Sequence, residues 1–134
     1  MQQKDTVIFN LNKALQLEYF DVFSYPREAN LIKDNVIKSK FEEFGLMEIR
    51  HADLLSQRIL ALGGKPIWDF HLLQGENDLK KIISRHIDYE QRAIDFYADL
   101  IKEVDGQTRI FLRGIKSEEE AHLSQLKEFF NSLK

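Results

Sequence analysis

The chain has 134 residues, enough for one domain with a single well-buried core. Charged residues make up 31% and hydrophobic residues 43%, with six Gly and two Pro, and the net charge is −3. That composition suits a soluble helical protein, and the scattered basic residues offer no patch for nucleic acid or a membrane surface. The absence of Cys excludes a disulfide framework, a Cys₄ iron site, thiolate zinc and thiol catalysis. Met1 to Thr6 contain no apolar signal core, and no apolar run approaches membrane-spanning length, so a cytoplasmic location is expected.

Apolar residues recur at helical spacing in four stretches. The first predicted helix runs from about Asp5 to Lys33, with Val7, Ile8, Leu11, Leu15, Val22 and Tyr25 on one face. Pro26 lies inside it and removes the bond to the Val22 carbonyl, so a kink is expected there. Asp34-Asn35 is the expected turn. The second helix then runs to about Leu62 with the stripe Phe41, Phe44, Glu48, His51, Leu55, Ile59 and Leu62, and Gly63-Gly64 with Pro66 stops it.

Lys65 to Gly75 is the one long connection. The third helix spans about Asn77 to Val104, with Leu79, Ile82, Ile83, His86, Glu90, Ala93, Tyr97, Leu100 and Val104 in phase. Asp105-Gly106 turns the chain into the fourth, whose stripe is Phe111, Ile115, Glu119, His122, Leu126, Phe129 and Leu133. The expected architecture is all-α: one antiparallel four-helix bundle over residues 1–134, with a long crossover between helices two and three.

Two Glu-x-x-His pairs, Glu48-Ile-Arg-His51 and Glu119-Glu-Ala-His122, fall in core phase on helices two and four. The i,i+3 spacing stacks carboxylate and imidazole on one face. Glu18 and Glu90 occupy the core stripes of helices one and three. A Glu from each of two helices plus Glu-x-x-His from the other two is how a four-helix bundle builds a two-metal carboxylate site. Four buried carboxylates need compensation, and two divalent cations supply it. Carboxylate and imidazole donors suit iron or manganese.

With twelve Glu and four His in the chain, a single Glu-x-x-His pair arises readily by chance. Two pairs in core phase, with core-phase Glu on both remaining helices, make a far more demanding coincidence. Glu118 and Glu120 fall off the stripe and read as solvated surface. Tyr25, seven residues after Glu18, is either a hydrogen-bond donor to a ligand, an electron donor, or a core tyrosine. His86, one turn before Glu90, is either an extra ligand, a partner behind a ligand, or a satisfied core histidine. Trp68 and His71 belong to packing of the long connection or to an interface. Phe9, Tyr19, Phe20, Phe23, Phe129 and Phe130 form a second apolar flank, read as burial in a dimer.

Across essentially its whole length the chain resembles the ferritin-like di-iron superfamily, and within it the bacterioferritin branch. Met47 to Asp53, Ile59 to Pro66, and the order and spacing of Glu18, Glu48, Glu90 and Glu119 carry the resemblance. It implies two iron ions per chain. Glu18, Glu48 and His51 would serve one, Glu90, Glu119 and His122 the other, with Glu48 and Glu119 bridging and Tyr25 near the centre.

Haem-binding members place a Met directly after the helix-two Glu, where this chain has Ile49, so haem is not expected. No fifth helix follows helix four, so a homodimer is expected in place of the 24-subunit cage. The implied activity is ferroxidase-type oxidation of Fe²⁺ by O₂ or peroxide, in iron handling or peroxide defence. The alternatives are a rubrerythrin-like peroxidase, an oxygenase on an organic substrate, or a non-catalytic metal-stabilised scaffold.

Overall fold

A computed structural model describes residues 3–70 and 75–133. His71, assigned above to the long connection, lies outside the described residues. Four helices follow in order: α1 (Gln3–Ala29), α2 (Asn35–Ala61), α3 (Leu79–Glu103) and α4 (Gly106–Ser132). At 1.5 Å per residue each spans about 40 Å. No described helix is long and apolar enough to cross a membrane.

α1 continues through Pro26 and stops at Ala29, four residues before the expected end. The shortfall follows from what comes next. Asp34 caps α2, its Oδ1 accepting from the Val36 and Ile37 amides at 2.9 and 3.1 Å. Residues 30–33 must therefore reverse the chain, and Ile32 plugs the end of the core. Beside Pro26 the α2 backbone comes so close that a Cβ on Gly45 would lie 2.9 Å from the proline Cγ. At the other end Gly63 terminates α2 with a φ of 86°, which only glycine adopts without strain.

α1 packs along α2, and α3 along α4. The cross-pairs run with one number rising as the other falls. Asn10 meets Glu103 and Glu28 meets His86; Arg58 meets Gln107 and Met47 meets His122. α1 is thus antiparallel to α3, and α2 to α4, leaving α2 and α3 parallel. That arrangement requires the connection to travel the length of the bundle.

Two α1 amides hold it. Asn12 Nδ2 donates to the Lys65 carbonyl at 3.0 Å, and Asn12 Oδ1 accepts from the Ile67 amide at 2.8 Å. One turn on, Gln16 Nε2 donates to the Ile67 carbonyl and its Oε1 accepts from the Asp69 amide, both at 2.7 Å. Trp68 and Phe70 then pack on Tyr19 and Phe23. The aromatic flank read as dimer burial is therefore partly consumed within the chain, and Phe20 is buried against Tyr89.

The interior has two apolar clusters. One gathers Leu11, Leu15, Leu55, Ile59, Leu100 and Ile115; the other gathers Ile37, Phe41, Phe44, Ile82, Ile83 and Leu126. Between them lies a buried polar layer.

Candidate metal centre

Each helix places one or two polar side chains in that layer. Glu18, Glu48, His51, Glu90, Glu119 and His122 are all at most 3% exposed. They form two four-residue groups, Glu18 with Glu48, His51 and Glu119, and Glu48 with Glu90, Glu119 and His122. Within each group one donor atom per residue lies within 4.8 Å of all the others. Glu48 and Glu119 belong to both, which is what two adjacent cations sharing two carboxylates require.

Both imidazoles turn Nδ1 inward. His51 Nδ1 is 2.8 Å from Glu119 Oε1, 3.5 Å from Glu18 Oε2 and 3.6 Å from Glu48 Oε1. His122 Nδ1 is 3.2 Å from Glu48 Oε1 and 3.9 Å from Glu119 Oε2. Tyr25 donates to Glu90 Oε1 at 3.0 Å. His86 stands outside both groups. Its ring stacks on Tyr25 at 4.0 Å, with Nε2 3.0 Å from Glu28 Oε1 and Nδ1 3.7 Å from Asp21 Oδ1.

Several residues at the centre were not singled out from the sequence. Tyr97 donates to Glu18 Oε1 at 2.6 Å. A signal for it existed, since Tyr97 follows Glu90 by seven residues just as Tyr25 follows Glu18. Each tyrosine reaches the glutamate of the other helix. Asp21 is buried beside Glu90.

Glu118, expected to be solvated surface, instead lies with Oε2 2.7 Å from His51 Nε2, and Arg50 Nη2 donates to the same carboxylate at 3.1 and 3.2 Å. It is off the stripe of α4 yet faces α2, because the seam between antiparallel helices lies beside the core-facing stripe. Glu120 does stay outside, pairing with Lys116 at 3.4 Å. Met47 Sδ sits 3.3 Å from His122 Nε2, while Ile49 points out and is half exposed.

The electrostatics follow from so many acids in one dry layer. Burial raises Glu48, Glu90, Glu119 and Asp21 well above the ordinary carboxylate range, and neighbouring charges on Glu119, Glu18 and Glu90 add to the effect. Burial also works to raise Glu18, but the adjoining Glu48 carboxyl, the His51 imidazole and the Tyr97 hydroxyl outweigh it, and Glu18 is lowered. Burial works to lower His51, yet Glu18 and Glu118 raise it overall. For His122 burial and the His51 charge outweigh the upward pull of Glu18, Glu118 and Glu43, and lower it to about 4. Burial, then Glu90 or Glu18, raises Tyr25 and Tyr97, which keeps both phenols as donors.

The residues fit divalent cations on direct grounds. Glu18 Oε2, both Glu48 oxygens, Glu90 Oε2, Glu119 Oε2 and His122 Nδ1 are buried without a hydrogen-bond donor or acceptor in place. Unsatisfied buried oxygens cost free energy unless bonded or coordinated, and four carboxylates with two imidazoles make a hard-to-borderline donor set.

Fold and centre together define a class: four-helix bundles that carry a buried carboxylate–histidine cluster at mid-length. The chain belongs to the ferritin family, whose ferritin-like domain matches residues 10–134. It is 30% identical over 115 residues to a bacterial ferritin of Paramagnetospirillum magnetotacticum, covering 81% of this chain and 69% of that protein. Its structure is similar to the Desulfovibrio desulfuricans bacterioferritin, a protein with a diiron site, with a TM-score of 0.89 and 25% identity over 96% of this chain and 80% of that one. A ferritin-like diiron-carboxylate protein of Bacillus anthracis shares the fold, with a TM-score of 0.88 and 21% identity over 97% and 99% of the two chains.

Proposed function

We propose that this chain is a di-iron carboxylate oxidoreductase of the ferroxidase type, binding two Fe²⁺ and oxidising them with O₂ or peroxide. The observation that carries the reading is the pair of buried four-residue groups sharing Glu48 and Glu119. The bacterial ferritin and bacterioferritin relatives support it. Glu18 and His51 would hold one ion, Glu90 and His122 the other, with Glu48 and Glu119 between them. Two adjacent Fe²⁺, as substrate, each give up one electron, so that peroxide is reduced to water by a two-electron step.

The protein's own contributions are charge, orientation and protons. Tyr97 and Tyr25 each donate to one oxygen of Glu18 and Glu90, which fixes the carboxylate planes. Burial favours the protonated forms of Glu48, Glu90 and Glu119 while cations need the ionised ones, so loading is coupled to proton release. The apolar clusters on both sides exclude water from the layer. A homodimer is proposed through the part of the aromatic flank still exposed, Phe9 and Phe23, together with Trp68 of the long connection.

Anaerobic titration with Fe²⁺ followed by addition of O₂ or peroxide tests the proposal. The expected result is about two ions bound per chain and oxidation much faster than in buffer. Two ions bound without accelerated oxidation would leave a metal-stabilised scaffold and sink the oxidoreductase reading.

A further inference from the structure

The residue before each glutamate of the Glu-x-x-His pairs occupies the same place in both halves. Glu118 precedes Glu119 and reaches across to His51; Met47 precedes Glu48 and reaches across to His122. Position and geometry correspond, since both side chains meet the Nε2 of a histidine whose Nδ1 faces the centre. The chemistry does not correspond. His51 Nε2 is 2.7 Å from a carboxylate that Arg50 holds in place, and His122 Nε2 is 3.3 Å from a thioether sulfur.

A carboxylate behind a histidine fixes its tautomer and ring orientation and makes the facing nitrogen a stronger donor to a metal. A thioether is only a weak acceptor and carries no charge. We propose that the two cation positions of this centre are unequal by construction: the position served by His51 is the tight one, and the position served by His122 is the exchangeable one. The inference rests on the two-cation reading above and deepens it. Glu118 and Met47 are positioning residues, acting on the metal only through the histidines. Changes to such partners typically alter metal affinity about 10- to 100-fold, so the two binding steps are expected to differ by about tenfold or more.

Co²⁺ serves as the probe, because it does not turn over with oxygen on the timescale of a titration. Calorimetry should resolve two steps in the unaltered protein, and crystals grown with one equivalent of Co²⁺ should show anomalous density concentrated beside His51. Met47→Glu should tighten the weaker step and bring the two together. Glu118→Ala, at a position about one-third exposed on α4, should weaken only the tighter step, by about tenfold. That variant keeps the test alive if a new carboxylate at position 47 prevents folding.

Two equal steps, density shared evenly or favouring His122 at one equivalent, or a Glu118→Ala protein with both steps unchanged would each overturn the inference while leaving a two-cation centre standing. Failure of the unaltered protein to bind any Co²⁺ would overturn both.

Discussion

Raising the pH of the metal-free protein from about 6.5 to 8 puts the buried acid layer under direct strain. Asp21, Glu48, Glu90 and Glu119 are all held well above their ordinary values of 3.8 and 4.5. Between its ordinary value and its raised one, each of these carboxyls keeps in the native chain a proton that the unfolded chain has released. A group whose pKa is raised on folding contributes stability at low pH and loses it as pH climbs toward the folded value.

Each retained proton lowers stability by about 1.4 kcal/mol per pH unit. With one to four carboxyls still protonated, the slope is about 1.4 to 5.5 kcal/mol per unit, against a total of about 5–15 for a typical domain. His51, raised from 6.5, pulls in the same direction. His122, lowered to about 4 from 6.5, pulls the other way mainly between those values, and its pull fades as the pH climbs past 6.5. Glu18, lowered, is ionised in both states there.

Urea unfolding at constant ionic strength, with and without saturating Mn²⁺, measures the slope. The loaded protein should show a much shallower one, because its carboxylates are ionised before and after unfolding, and its stability should be higher throughout. Calorimetry in two buffers of different ionisation enthalpy should register protons released on Mn²⁺ binding. A metal-free protein whose stability is flat or rising across this window would refute the assignment of buried protons to the layer.

Three substitutions separate the roles of neighbouring groups. Glu119→Gln should abolish paired cation binding in equilibrium dialysis, yet leave the metal-free fold at least as stable above pH 6.5 and cut its pH slope by about 1.4 kcal/mol per unit; a large loss of metal-free stability would count against the ligand role. Tyr97→Phe removes the donor to Glu18 and should cost about 1 kcal/mol in denaturant unfolding, with two cations still bound; no change in stability would mean that the 2.6 Å bond contributes nothing. Gly45→Ala should cost about 1–3 kcal/mol, because its Cβ would press on Pro26. A thermal transition unchanged by that substitution would show that the close approach of α1 and α2 gives way freely.

The four helices and their core stripes were legible because amphipathic phase is a property of one helix, written at i, i+3 and i+4. The same phase placed Glu18, Glu48, His51, Glu90, Glu119 and His122 on inward faces, and the Gly63-Gly64 stop and Asp34 turn were local too. The early end of α1 needed knowledge of how the next helix is capped. What only the tertiary structure decided is which side chains meet across seams.

A hydrogen bond between helices depends on the rotation and register of both, and neither is encoded in a single stripe. Glu118 looks solvated on α4 alone and reaches His51 only because α2 lies beside it. Asn12 and Gln16 find their partners only when the crossing segment, obliged to run the length of the bundle because α2 and α3 point the same way, comes to rest on them. The difference between the carboxylate behind His51 and the thioether behind His122 belongs to the same level, where identical motif positions acquire unequal chemistry through contact.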